Sequence, residues 1–161
     1  MKILVISDSH GNIVNLKHVM GFAKKFGVSA VIHAGDWNTI ESVETILSFG
    51  IPVYTVLGNA DVSQGMVNRV QRLGKQHFGQ DFLEFELGGK RIGITHKPSN
   101  NKKFFSGKNP DIIFNGHLHS KYESVKGDVK IVRPGAVING NNFAIYDTAT
   151  NRVEFVEDVQ V

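Results

Sequence analysis

Three apolar strand-like runs open this chain, separated by stretches of helical period, and that alternation constrains the fold more than any other feature. Lys2–Ser7 is a buried-strand run. Asn12 then stands where a helix N-cap belongs, and Leu16, Val19, Met20, Ala23 and Phe26 follow at helical spacing until Gly27. Ala30–Ala34 is the second strand. Thr39 is placed to cap a second helix that turns Ile40, Val43, Ile46 and Leu47 inward and stops at Gly50. Pro52–Leu57 is the third strand, and Ser63–Leu73 reads as a short helix. The second half reads as hairpins. Phe82–Leu87 and Arg91–Thr95 flank Gly88-Gly89, Tyr122–Val125 and Val129–Val132 flank residues 126–128, and Phe143–Asp147 and Arg152–Val156 flank residues 148–151. Asp111–Asn115 is a further strand, and Lys97–Asn109 is a polar, basic loop with room for one short helix. Alternation followed by hairpins predicts an α/β fold of two mixed sheets packed together with helices outside.

A chain of 161 residues, 41% hydrophobic and 20% charged, suits one globular domain spanning 1–161. Cysteine is absent, which excludes disulfides and thiolate metal sites. No apolar run approaches the ~20 residues of a membrane span, and the N-terminal run has no signal-peptide pattern. A cytoplasmic setting without a membrane partner is the expectation. The net charge of +3 mildly favours an anionic substrate. No interleaved basic and aromatic stripe points to nucleic acid. A homo-oligomer is left open.

The residues able to bind metal cluster where strands end. Asp8 and His10 follow the first strand, Asp36 the second and Asn59 the third. His96 follows Arg91–Thr95, and His117 and His119 follow Asp111–Asn115. In α/β sheets the carboxyl ends of strands form the ligand crevice. Imidazole combined with carboxylate and amide oxygen suits Mn, Fe, Co, Ni or Zn. Seven such side chains exceed what one tetrahedral site needs and suit two ions if one carboxylate bridges them. Gly35, Gly58 and Gly116 each precede a ligand, which lets backbone pass close to a crowded centre.

Asp8-Ser9-His10, Gly35-Asp36, Gly58-Asn59, His96 and Gly116-His117-Leu118-His119 together resemble the motif set of calcineurin-like metallophosphoesterases, in particular the superfamily's small bacterial and archaeal phosphodiesterases. The resemblance implies a four-layer αββα sandwich. It implies that Asp8, His10 and His119 hold one divalent ion, that Asn59, His96 and His117 hold the other, and that Asp36 bridges them. These seven are then also the catalytic set. Mn2+ leads the expectation for the ions, with Ni2+, Zn2+, Fe2+, Co2+ and Mg2+ open. The implied chemistry is direct in-line attack on phosphorus by a metal-bridging hydroxide, on a small phosphodiester or nucleotide-like substrate.

Three departures from the family pattern stand out. Many relatives carry a His after Gly-Asn that helps protonate the leaving group, and here Ala60 offers only a methyl group. Asp61 is retained, but a carboxylate is a poor acid near neutral pH unless its pKa is raised. Lys97 replaces the Gly that usually follows the His, so an ammonium stands beside a ligand, and Trp37 and Asn38 replace a different pair. Lys97, Asn12 and Trp37 are the candidate substrate-binding residues: Lys97 for phosphate, Asn12 for phosphate beside its role as a cap, Trp37 as a stacking surface for a base. His33 reads as a core or supporting histidine, and His18 and His77 as surface residues. Lys102, Lys103 and Lys108 read as a solvated face, and Arg133 as structural with an anion-binding alternative. Two other functions compete with a phosphodiesterase. The superfamily includes a retromer coat subunit, so a binding scaffold without turnover is one. A phosphomonoesterase is the other, and Ala60 argues against it.

Overall fold

Strand β1 (Lys2–Ile6) shows how the layers arise. Side chains alternate along a strand, so Leu4 and Ile6 face one apolar core while Ile3 and Val5 face another. A strand buried on both faces belongs at the centre of a stack of layers. The computed structural model describes residues 1–156; the expected single domain over 1–161 includes 157–161, which lie outside the described residues.

The chain continues through α1 (Ile13–Lys25), β2 (Ala30–His33), α2 (Ile40–Leu47), β3 (Val53–Val56), α3 (Gln64–Gln71) and β4 (Phe78–Gly79). The second half contains β5 (Phe82–Leu87), β6 (Lys90–Thr95), α4 (Asn101–Phe105), β7 (Ile112–Phe114), β8 (Lys121–Lys126), β9 (Val129–Pro134), β10 (Phe143–Asp147) and β11 (Arg152–Val156). Short 3-10 turns occupy Pro98–Asn100 and Val137–Asn139.

The first sheet has the order β11-β10-β1-β2-β3-β4 and the second β5-β6-β7-β9-β8. Both are mixed: β1, β2, β3 and β4 run parallel, β10 pairs antiparallel with β1, and β6, β7 and β9 run parallel between antiparallel neighbours. The first core lies between the first sheet and helices α1, α2 and α3, where Leu16, Val19 and Met20 meet Leu4, Val31 and Val53. The second lies between the sheets, where Ile3, Val5 and Ile32 meet Ile92, Ile94 and Phe114. Burying each such side chain stabilises by about 1.5–3 kcal/mol. The outer face of the second sheet has thinner cover. There Phe105 of α4 packs onto β6 at Gly93, where a Cβ would come within 2.6 Å of its ring. The result is the expected αββα sandwich with an unequal fourth layer.

Asn12 caps α1 through a 3.0 Å bond from Asn15 N, and Thr39 caps α2 by accepting from Ser42 N. Strand β4 was not expected. Its two residues extend the first sheet beside β3 and carry the chain across to β5.

Candidate metal centre

Strands β1, β2 and β3 of one sheet and β6 and β7 of the other all end at the same edge of the sandwich. The seven candidates stand in the turns that follow them. Asp8, Asp36 and His96 are buried and His10 partly so; His119 sits at the open rim. Among the described residues two groups are tight enough to hold an ion: Asp8 with His10 and His119, and Asp8 with Asp36 and His96.

The donor atoms converge on shared points. Asp36 Oδ2 lies 3.5 Å from His10 Nε2 and 3.3 Å from His96 Nε2, between the two halves of the cluster. Asp8 Oδ1 lies 3.4 Å from His119 Nε2 and 3.9 Å from His10 Nε2. Asn59 Oδ1 lies 3.1 Å from His96 Nε2. His117 reaches the cluster through its ring, edge-on to His96 with 5.2 Å between centroids, while its backbone N–H donates to the Asp8 carboxylate at 3.1 Å.

The outer nitrogens decide what the inner ones can do. His96 Nδ1 lies 2.8 Å from the Ala34 carbonyl and His10 Nδ1 lies 3.1 Å from Asn38 Oδ1. Both partners only accept, so both Nδ1 atoms carry the proton, a tautomer assigned from the network. Each of these Nε2 atoms then presents a lone pair to carboxylate and amide oxygens: His96 Nε2 to Asp36 and Asn59, and His10 Nε2 to Asp36. Acceptors facing acceptors in a buried site repel unless a cation or proton sits among them. The donor set therefore fits divalent cations. The same crowding shifts the protonation equilibria of the cluster. Burial alone would raise the Asp36 carboxyl, but His96, the Ala60 N–H and His10 outweigh it and hold it down at about 2. Burial alone would lower His96, but bonds to Asp36 and the Ala34 carbonyl push it up. Burial and the neighbouring His96 and Lys97 lower His117.

The backbone is bent to make this convergence. Asp8, His10, Asp36, His117 and His119 all have positive φ, between 44° and 72°. Non-glycine residues pay about 1–3 kcal/mol each for such conformations, and strain of this kind collects at functional sites. Gly58 cannot be replaced, because a Cβ there would come within 2.0 Å of Asp36 Oδ1. Asp61 straps the turns together: its carboxylate accepts from the N–H groups of Asp36, Trp37, Asn38 and Gly58 at 2.7–3.0 Å. Burial pushes the Asp61 carboxyl up, while these N–H groups favour its charged form. Asp61 is thereby committed to holding the two turns in place rather than to delivering a proton.

Beside His96 a cleft of about 340 Å³ opens, lined by Asn59, Gln80, Asp81, Lys97 and Asn100 among others. Lys97 therefore stands in the cleft wall next to the cluster. Asn12 uses its side-chain oxygen to cap α1. The expectation for Trp37 is overturned. Its ring is fully buried, stacks on His33 at 3.7 Å and donates from Nε1 to Thr55 Oγ1 at 3.1 Å, so no substrate base reaches it. The turn after β2 folds Trp37 back into the core beneath α2, beside Val43 and Ile46. His33 is the expected supporting histidine, with Nε2 3.0 Å from Ser9 Oγ. His77 is not a plain surface residue: it stacks on Tyr54, and its Nδ1 lies 3.0 Å from the Val53 carbonyl. Two residues beside the cluster were not foreseen. Asn38 orients His10, and Asn139, on the 3-10 turn after β9, approaches His119 Nδ1 at 3.4 Å. Asn38 carried a signal, since asparagine tolerates the positive φ, here 68°, that this tight turn requires.

Comparison with known proteins adds four findings. A phosphodiesterase of Methanocaldococcus jannaschii is 22% identical over 138 residues, covering 84% of this chain and 83% of that protein. The solved structure of an archaeal phosphodiesterase superposes with a TM-score of 0.86 at 21% identity, covering 98% of this chain and 99% of the other. A zinc-complexed Vps29 of Entamoeba histolytica superposes with a TM-score of 0.67 at 17% identity, covering 98% and 99%. At these identities the structural likeness speaks for the fold. The model of the calcineurin-like phosphoesterase superfamily domain matches residues 1–151, nearly the whole chain, and the protein belongs to that superfamily.

Proposed function

We propose that this protein is a dinuclear, divalent-metal-dependent phosphodiesterase formed by one domain over residues 1–161. The observation that carries the reading is the crowd of acceptors: Asp36 Oδ2 within 3.5 Å of the Nε2 atoms of His10 and His96, and Asn59 Oδ1 3.1 Å from the same His96 Nε2. In this reading Asp36 serves both ions, Asp8, His10 and His119 hold one, and Asn59, His96 and His117 hold the other. Mn2+ heads the candidate ions, and the donor set suits Fe, Co, Ni and Zn as well. Bound there, two divalent ions would supply a water-derived nucleophile at neutral pH and stabilise charge on the departing oxygen. The chain's own residues do the rest. The Ala34 carbonyl and Asn38 fix the ring orientation of His96 and His10, the Asp61 carboxylate fixes the turns that carry Asp36 and Asn59, and Lys97 in the cleft wall attracts the phosphate. Ala60 contributes only its N–H, which bonds Asp36 Oδ1 at 2.8 Å, and that favours a diester over a monoester with a basic leaving group.

The test is metal content together with turnover of an aryl phosphodiester. Asp36→Asn is expected to lose both ions and nearly all activity, whereas His119→Ala is expected to lose mainly one ion. Full metal content and full activity in Asp36→Asn would remove the proposed centre. A metal-loaded protein that turns over no diester would favour the scaffold reading.

A further inference from the structure

Strands β8 and β9 pair so that Tyr122 lies opposite Arg133, Ser124 opposite Ile131 and Lys126 opposite Val129. Val132, one residue on, belongs to the core between the sheets, so this set faces the other way, onto the outer side of the second sheet. Between these strands and the segment that includes α4 runs a groove of about 500 Å³. Its lining includes Lys102, Lys126, Arg133, Tyr122, Pro98 and Ser99, and among the described residues it contains no carboxylate.

The cations there are not neutralised by the usual means. Arg133 donates from Nε to the Ser120 carbonyl and from Nη2 to Ser120 Oγ, both at 3.1 Å, and its guanidinium carbon lies 4.7 Å from the Tyr122 ring centroid. All three partners are neutral, and two of its five N–H donors are used. Among the described residues it forms no ion pair. On the same face, Ser124 Oγ is buried with no hydrogen-bond partner among the described residues.

The groove also adjoins the metal centre. Lys97 and Asn100 line the cleft beside His96, while Pro98, Ser99 and Lys102 line the groove, so residues 97–102 are the wall between the two. Ser120, which Arg133 grips, directly follows His119. An extended anion lying in the cleft needs to cross only this wall to reach the second cluster of positive charge.

We propose that this groove is a second anion subsite that binds a further phosphate group of the substrate, so that the natural substrate is a diester carrying several phosphates along one chain. The proposal deepens the phosphodiesterase reading and rests on it. Guanidinium and ammonium groups with hydroxyl donors beside them match phosphate oxygens. The exposed Tyr122, held by Arg133, gives an adjoining sugar or base an apolar surface. A short oligonucleotide and a polyphosphate-linked dinucleotide share this chemistry.

The experiment follows the Arg133 Nε–H signal by nitrogen-15 NMR in the full chain loaded with diamagnetic Zn2+. The probes are a phosphorothioate thymidine tetranucleotide, a methylene-bridged dinucleoside tetraphosphate, a single-phosphate aryl diester and an oligo-aspartate peptide. Either multi-phosphate probe is expected to shift the signal, with an affinity that falls as salt rises, and the one that binds more tightly identifies the source. The aryl diester is expected to leave the signal unmoved. Lys102→Gln combined with Lys126→Gln is expected to weaken the multi-phosphate probe by about tenfold, as charge-assisted contacts are lost, and to leave aryl-diester turnover unchanged. An unmoved Arg133 signal, equal binding by the double variant, or a shift produced by oligo-aspartate alone would each overturn the subsite. If the multi-phosphate probes shift Arg133 while no aryl diester is hydrolysed, the subsite stands and the phosphodiesterase reading falls.

Discussion

Ala60 sits where a proton donor stands in many relatives, and the side chains around it do not make up the loss. Its own N–H is committed to Asp36 Oδ1, and Asp61 beside it is held by four N–H groups. A positioned general acid typically contributes about 10²–10⁴-fold, and it matters most when the departing alkoxide is basic. The rate across a series of aryl phosphodiesters is therefore expected to fall steeply as the leaving group's pKa rises, and Ala60→His is expected to flatten that slope. A flat dependence in the natural protein, with chemistry shown to limit the rate, would mean that another residue supplies the proton. At this scale the clustering of the metal-type residues was legible because each stands within five residues after a strand end, where a polar side chain has a reason to face a crevice. Trp37 was not legible, because its burial depends on how a turn of positive-φ residues folds back under α2, which no local pattern records.

The turns after β2 and β3 act as one element, and His33 anchors the first of them. Its Nδ1 accepts from Gly35 N at 3.2 Å, its Nε2 bonds Ser9, and Trp37 covers its face. A neutral ring satisfies all of this, and a protonated ring would lose the bond from Gly35. Burial accordingly lowers its pKa from 6.5 to about 3. The unfolded chain takes up a proton below about 6.5 that the folded chain refuses until about 3. His33 therefore stabilises the fold fully above pH 6.5, and that stability is lost as pH falls towards 3, at up to about 1.4 kcal/mol per pH unit. Urea unfolding at pH 7.5 and pH 5 is expected to show a smaller loss in His33→Gln than in the natural protein. Equal losses would mean that His33 is not held neutral. The regular elements were legible from their periods. Two short pieces were not, β4 (Phe78–Gly79) and the 3-10 turn Val137–Asn139, because two or three residues are too few to show a period.

For the whole molecule, the strained turns and the facing acceptors are a cost that a bound cation offsets. Mn2+ at a hundredfold excess over its dissociation constant is expected to add about 2.7 kcal/mol, raising the unfolding midpoint by about 5–10 °C, and EDTA is expected to reverse the shift. A midpoint insensitive to both would count against metal binding in the folded chain. The two sheets draw on the chain in different ways, and this has a consequence for how the protein is made. Strand β1 lies between β2 and β10, with Lys2 paired to Asp147 and Val5 to Ala144. At about 5–20 residues per second of translation, β1 leaves the ribosome about 7–30 s before its antiparallel neighbour exists. During that interval β1 is a nascent edge strand, open to wrong partners, with Asp8 and His10 already exposed at its end. Covering the first strands during that interval is therefore expected to raise the yield of folded protein.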